Sequence, residues 1–165
     1  MSAHEALGVL CDAQEISANA TPSTNTIDLG QTYPKIGVGQ HAPFLCIRTA
    51  VAPTAASNDT LAIELQTDAD DGAGAPAGTW TNVAFNPLIG PALAEVNQSD
   101  ARLAAAGAWI YRGQLPYDIA NRHIRLMFRN GTSVGVFTID AWLEDVPAST
   151  FRGSQVLFSN VGNPS

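Results

Sequence analysis

The feature that most constrains this chain is a two-residue rhythm. Short runs of alternating apolar and polar residues are separated by Gly, Pro, Asn and Asp, and little of the chain carries a helical period. In the run from Thr60 to Thr67, Leu61, Ile63 and Leu65 share one face while Ala62, Glu64 and Gln66 take the other. That is the pattern of a half-buried strand. His123–Arg129 repeats it, with Ile124, Leu126 and Phe128 set against His123, Arg125, Met127 and Arg129. In the next run Phe137, Ile139, Ala141 and Leu143 alternate with Thr138, Asp140 and Trp142. Between these two runs stands Asn130-Gly131, the pair best suited to a type I′ turn because both positions tolerate positive φ. A two-residue loop there opposes Arg129 to Thr132 and Ile124 to Phe137, so that the apolar faces coincide. The expectation is a β-hairpin.

Further strands are expected at Gln14–Ala18, Thr26–Leu29, Phe44–Val51, Trp80–Phe85 and Trp109–Gln114, with Lys35–Val38 as one more. Phe44–Val51 is almost continuously apolar, which suggests burial on both faces or a dimer surface. So many short strands in 165 residues, with long turns at Ala52–Asn58 and Asp68–Gly78, describe an all-β jelly roll or β sandwich in a single domain. A helical stretch is expected at Asp100–Ala106, capped by Ser99 and closed by Gly107. The domain spans residues 12–145, preceded by an N-terminal arm (1–11) and followed by a tail (146–165). The arm opens on a capping-box pattern, Ser2-Ala3-His4-Glu5, and carries Leu7, Val9 and Leu10. The tail is rich in Ser, Asn, Gly and Pro yet keeps Phe151, Val156, Leu157, Phe158 and Val161. A purely solvated tail would not hold such a cluster, so it folds back as a strand or docks on a partner.

Composition narrows the function. The chain has 8 Lys+Arg against 15 Asp+Glu, a net charge of −7, and Lys35 is its one lysine. Such a chain is poorly equipped to bind nucleic acid, which needs cations against phosphates. No apolar run approaches the ~18 residues that would span a bilayer, and Met1–Glu5 lacks the basic start of a secretory signal.

Candidate chemistry is sparse. Asp68, Asp70 and Asp71 before Gly72 resemble the opening of a calcium loop, but Thr79 stands where the closing Glu belongs. A solvated inter-strand loop is the simpler reading, with calcium left open. His4, His41 and His123 are isolated, and no metal-ligand or nucleophile spacing surrounds them. His123 falls on the non-core face of its strand, where an ordinary polar role is expected. Cys46 reads as a small buried hydrophobe; whether it pairs with Cys11 is open. Asp140 and Glu144 share a strand face but stand roughly 13 Å apart at strand rise, too far for paired acid–base work. The expectation is therefore no catalytic residue, no cofactor and no metal.

Arg122, Arg125 and Arg129 form the one local basic concentration. They either pair with nearby acids or anchor an interface, a role arginine fills well. Trp142 is expected on the same outer face as Arg125 and Arg129, where an exposed Trp suggests a partner. Candidate partner contacts are Leu7, Val9, Leu10, Arg125, Arg129, Trp142, Phe151, Leu157 and Phe158.

Several segments also carry a resemblance. Asp12-Ala13-Gln14, Ser23-Thr24-Asn25-Thr26-Ile27-Asp28-Leu29-Gly30, the run Leu61–Asp68, Gln114-Leu115-Pro116 and Arg122-His123-Ile124-Arg125-Leu126 with the following Gly131-Thr132 stand in order along residues 12–145. Together they resemble the capsid cement (decoration) proteins of podovirus-type tailed phages. The resemblance implies a non-enzymatic jelly-roll subunit, usually a homodimer, on the outer surface of the virion. There it would bridge neighbouring major capsid proteins, after synthesis in the host cytoplasm. The longer N-terminal arm and the apolar-studded tail depart from that family. The alternative is a carbohydrate-binding jelly roll of a phage fibre or adsorption apparatus, which would use Trp80, Trp109 and Tyr111 on one face.

Overall fold

The computed structural model describes residues 8–17, 19–30, 43–53, 60–83, 94–97, 105–115, 119, 121–130 and 136–144. Ten strands run through them: β1 (Gly8–Ile16), β2 (Asn19–Pro22), β3 (Ile27–Asp28), β4 (Phe44–Val51), β5 (Thr60–Asp68), β6 (Thr81–Asn82), β7 (Ala94–Asn97), β8 (Trp109–Gln114), β9 (His123–Asn130) and β10 (Phe137–Glu144). They form two antiparallel sheets. One is four-stranded in the order β1-β10-β4-β8; the other has six strands, β2-β9-β5-β6 with β3 also on β9 and β7 also on β5. β2 and β3 occupy successive stretches of one edge of β9, and β6 and β7 do the same along β5. Each sheet is thus four rows wide. Numbering the rows along the chain gives 1-8-3-6 in one sheet and 2-7-4-5 in the other, the two-sheet wrapping of a jelly roll.

That wrapping corrects the expected hairpin. β9 and β10 alternate as their sequences require, but they do not pair. β9 lies between β5 and β2/β3, while β10 lies between β1 and β4 in the opposite sheet. Ile124 therefore stands beside Ile27 and Thr67, and Phe137 beside Ile16. The register argument demanded only that the two apolar faces meet. Strands stacked across a sandwich satisfy that demand as well as strands side by side. Gly131 of the anticipated turn lies outside the described residues.

The core fills the space between the sheets. Leu45 and Ile47 of β4, Leu61, Ile63 and Leu65 of β5, Ile124, Leu126 and Phe128 of β9, and Phe137, Ile139, Ala141 and Leu143 of β10 form one buried cluster. Each large side chain so buried contributes roughly 1.5–3 kcal/mol. Leu10 and Cys11 join the same cluster from β1. The expected N-terminal arm thus gives its last residues, Gly8 onward, to the sandwich. β4 and β8 have the expected bounds, whereas Asn19–Pro22 and Ala94–Asn97 pair where no strand was expected. Lys35–Val38 and most of Asp100–Ala106 lie outside the described residues. Ala105 and Ala106 lead into a turn in which Gly107, at φ 81°, donates its amide to Thr49.

Candidate functional site

Alternation turns every second residue of a strand outward, so each sheet has an outer face whose side chains the core does not claim. On the four-stranded sheet, hydrogen-bonded register sets Val9 beside Trp142, Trp142 beside Cys46, and Cys46 beside Arg112. The adjacent row sets Asp140 beside Arg48 and Arg48 beside Trp109. A bulge in β8 makes this possible. Tyr111 opposes Ile47 and Trp109 opposes Arg48, leaving Ile110 as the extra residue. Ile110 and Tyr111 can then both turn to the core while Trp109 and Arg112 face out.

The outward side chains interlock. The Trp109 and Trp142 rings, two strands apart, lean together to a centroid distance of 5.6 Å at 52°. Cys46, in register between Trp142 and Arg112, is fully buried. Arg48 lies over Trp142 and Arg112 over Trp109, each 5.3 Å from the ring centroid, which is cation–π range. Each guanidinium also meets a carboxylate: Arg48 donates Nε to Asp140 Oδ2 at 2.9 Å, and Arg112 Nη2 lies 3.5 Å from Glu144 Oε2. The other oxygen of Asp140 accepts the amide of Ala13 at 2.7 Å. Ala13 sits in a β1 irregularity at φ 44°, so Asp140 ties three strands together. The Cys46 thiol donates to Glu144 at 3.3 Å, and burial with that neighbouring carboxylate pushes its pKa up to about 12.

The six-stranded sheet carries a different outer face. Arg125 stacks 4.2 Å above the Trp80 ring and donates to Gln66 at 2.9 Å; Gln66 in turn donates to Asn82. Arg129 donates to Glu64 at 3.2 Å. Arg122 donates Nε and Nη2 to Asp28 and Nη1 to Asp70, at 2.6, 2.5 and 2.8 Å. These bonds hold the Asp28 carboxyl down at about 2 and that of Asp70 below its usual range, the latter chiefly through the amide of Gly72. His123 is 2% exposed, with Nε2 3.4 Å from Asp70 Oδ2. Asp70 of the loop after β5 thus reaches the ring of this outer-face histidine.

The aspartates organise that loop themselves. Asp68 accepts the amides of Ala69 and Gly78, Asp70 that of Gly72, and Asp71 those of Ala73 and Ala75. Gly72, Gly74 and Gly78 supply the positive φ angles needed for so tight a path. Among the described residues, no three His, Cys, Asp or Glu side chains are grouped to hold a metal ion.

The anticipated Arg/Trp face thus divides in two. Trp142 belongs to one sheet and Arg125 and Arg129 to the other, on opposite sides of the sandwich, and all three arginines from 122 to 129 are engaged within the chain. Val9 is 42% exposed beside Trp142, whereas Leu10 is fully buried in the core. Leu7, Phe151, Leu157 and Phe158 lie outside the described residues. Cys11 and Cys46 are both free thiols, on opposite faces of the sheet; burial also raises the Cys11 pKa to about 12. Trp80, Trp109 and Tyr111 do not share a face: Trp80 stacks under Arg125, Trp109 faces outward from the other sheet, and Tyr111 packs against the core. Asp140 and Glu144 each meet their own arginine.

Sequence reasoning passed over Arg48 and Arg112. A charged residue inside the apolar run Phe44–Val51 was the available signal. Between β1 and β3, Gly8, Val9 and residues 24–28 line a shallow groove of about 570 Å³. Its one carboxylate, Asp28, is already paired with Arg122.

A family model described as Bbp16 matches residues 10–105. No curated protein matches the chain.

Proposed function

The chain belongs to the Bbp16 family, and from that premise we propose that it is a non-enzymatic virion protein, a capsid cement subunit on the outside of a phage head. In this reading it bridges neighbouring major capsid proteins as a homodimer. The observation that carries the reading is the outer face of the four-stranded sheet. Trp109, Trp142, Arg48, Arg112 and Val9 make a broad side-chain surface there, fixed by ring and ion contacts within the chain. Tryptophan and arginine are the residues that most often dominate protein–protein binding. Partly exposed aromatic rings held in one geometry lose little conformational freedom on docking. Repeated over a symmetric shell, modest contacts of this kind become collectively strong through avidity. The segments that resemble the podoviral cement proteins support the same reading.

The test is fractionation of an infected culture. The protein should co-purify with intact virions at a fixed ratio to the major capsid protein and be missing from unexpanded procapsids. Absence from virions, or release by a mild salt wash, would overturn the proposal.

A further inference from the structure

We propose that the Trp/Arg face of the four-stranded sheet docks a carboxylate-bearing segment of its protein partner. Arg48 and Arg112 grip the carboxylates, and Trp109 and Trp142 cover the apolar atoms between them. The partner's identity as a capsid protein rests on the function proposed above; the chemistry of the docked segment rests on the face alone.

The argument turns on which charges a partner would meet. The Trp/Arg cluster pairs two arginines with two acids, and at the β1 edge of the same face Glu15, in register with Thr138, adds an exposed carboxylate. Exposure divides the paired charges unequally. The Arg48 and Arg112 side chains are 45% and 46% exposed, while their partners Asp140 and Glu144 are 12% and 19% exposed. The carboxylates form the floor, and the guanidiniums stand above it beside Trp109, which is itself 43% exposed. An approaching surface therefore meets positive charge and aromatic rings on a chain whose net charge is −7.

This selects the occupant. A wholly apolar partner would strip water from two guanidiniums and give them nothing in return, a costly burial. A long polyanion such as nucleic acid would meet the acidic remainder of the chain. A short segment carrying carboxylates satisfies both guanidiniums and leaves the rings to its aliphatic atoms. Arginine's planar fork suits carboxylate geometry. On the opposite sheet Arg129 stands 43% exposed over Glu64, but among the described residues it has no exposed ring and no second exposed guanidinium beside it: Arg122 bridges Asp28 and Asp70, and Arg125 lies on Trp80.

The experiment has two arms, both on the full chain. In the first, tryptophan emission is titrated with blocked hexaglutamate, hexaglutamine or maltohexaose at low salt, in a Trp80→Phe background so that the signal comes from this face. Hexaglutamate should shift the emission and the two neutral probes should not. The Arg48→Gln/Arg112→Gln variant should weaken the apparent Kd at least tenfold, and Arg125→Gln/Arg129→Gln should leave it unchanged. An equal response to the neutral probes, or an equal Kd in the Arg48/Arg112 variant, would overturn the proposal. Trp109→Ala gives a second variant should the double substitution impair folding. In the second arm, heads assembled without this protein are decorated with wild type or variant. A tenfold loss confined to the Arg48/Arg112 variant supports the docking face, and equal decoration overturns it while leaving the capsid reading intact. If wild type fails to bind heads but responds to hexaglutamate as expected, the capsid reading falls and the face assignment stands.

Discussion

Replacing Asp140 tests whether the outer face of the four-stranded sheet stabilises the sandwich as well as decorating it. Its two oxygens serve two neighbouring strands, accepting the Ala13 amide of β1 at 2.7 Å and Arg48 Nε of β4 at 2.9 Å. A hydrogen bond from a backbone amide to a charged acceptor contributes about 1.5–3 kcal/mol. The ion pair adds little, roughly 0.2–1 kcal/mol, because the Arg48 side chain is 45% exposed and water screens it. Asp140→Ala should therefore cost about 2–3 kcal/mol. With a urea dependence of roughly 2 kcal/mol per molar for a domain of this size, the unfolding midpoint should fall by about 1–1.5 M. Asp140→Asn keeps an acceptor for Ala13 and should cost about 1 kcal/mol or less. Arg48→Met, which removes only the ion pair and the ring contact, should cost about as little. Urea unfolding followed by far-UV circular dichroism measures all three. If Asp140→Ala falls within about 0.5 kcal/mol of wild type, or costs no more than Asn, the three-strand tie is refuted.

Four further outcomes follow from the same geometry. Ala13→Gly should raise stability by about 0.5–1 kcal/mol, since a left-handed alanine costs about 1–2 kcal/mol and glycine returns part of that as chain entropy; thermal unfolding reads it. Phe128→Ala, in the middle of β9 and fully buried, should cost about 3–5 kcal/mol in the same assay. The Asp28 carboxyl is held at about 2, so its contribution is complete above the ordinary value of 3.8 and is lost only as pH falls through about 2. Arg122→Ala should move the Asp28 carboxyl titration up toward its ordinary value by carbon-detected NMR, with the Gly30 amide still holding it partly down. Finally, the Cys11 and Cys46 thiols, buried and raised to about 12, should react with Ellman's reagent at pH 8 only after denaturant is added.

Strand positions were legible where alternation was clean. The runs at Thr60–Asp68, His123–Asn130 and Phe137–Glu144 are strands because period-2 burial leaves no other arrangement for Ile63, Leu126 or Ile139. Which strand lies beside which was not legible. Asn130-Gly131 is a strong hairpin signal, but the decisive contacts of β9 and β10 are with strands distant in sequence, and local pattern carries no information about those. The same blindness hid the site. Trp142 and Arg48 belong to strands nearly a hundred residues apart, and only the β10-β4-β8 order brings Trp109 and Arg112 beside them. Trp109 and Tyr111, two apart on one strand, would share a face under strict alternation; the β8 bulge turns them apart. Asp68–Gly78 was read as a solvated loop, and it is largely exposed; what the reading missed is that its aspartates cap the loop's own backbone amides and that Asp70 meets His123.

The row order has a consequence for synthesis. The central pairings of both sheets depend on β9 and β10, the last two strands described: β9 joins β5 to β2 and β3, and β10 joins β1 and β8-bound β4. While the first 120 residues leave the ribosome, β1 has no β10 to lie against, and β5 lacks its long neighbour. Neither half of the sandwich can close on its own, and most of its contacts span long sequence separations, which makes folding slow. Until residues 123–144 emerge, β1, β2 and β3 have no partner strand, while β4 and β5 are paired along one edge only, so the sandwich closes in one late step.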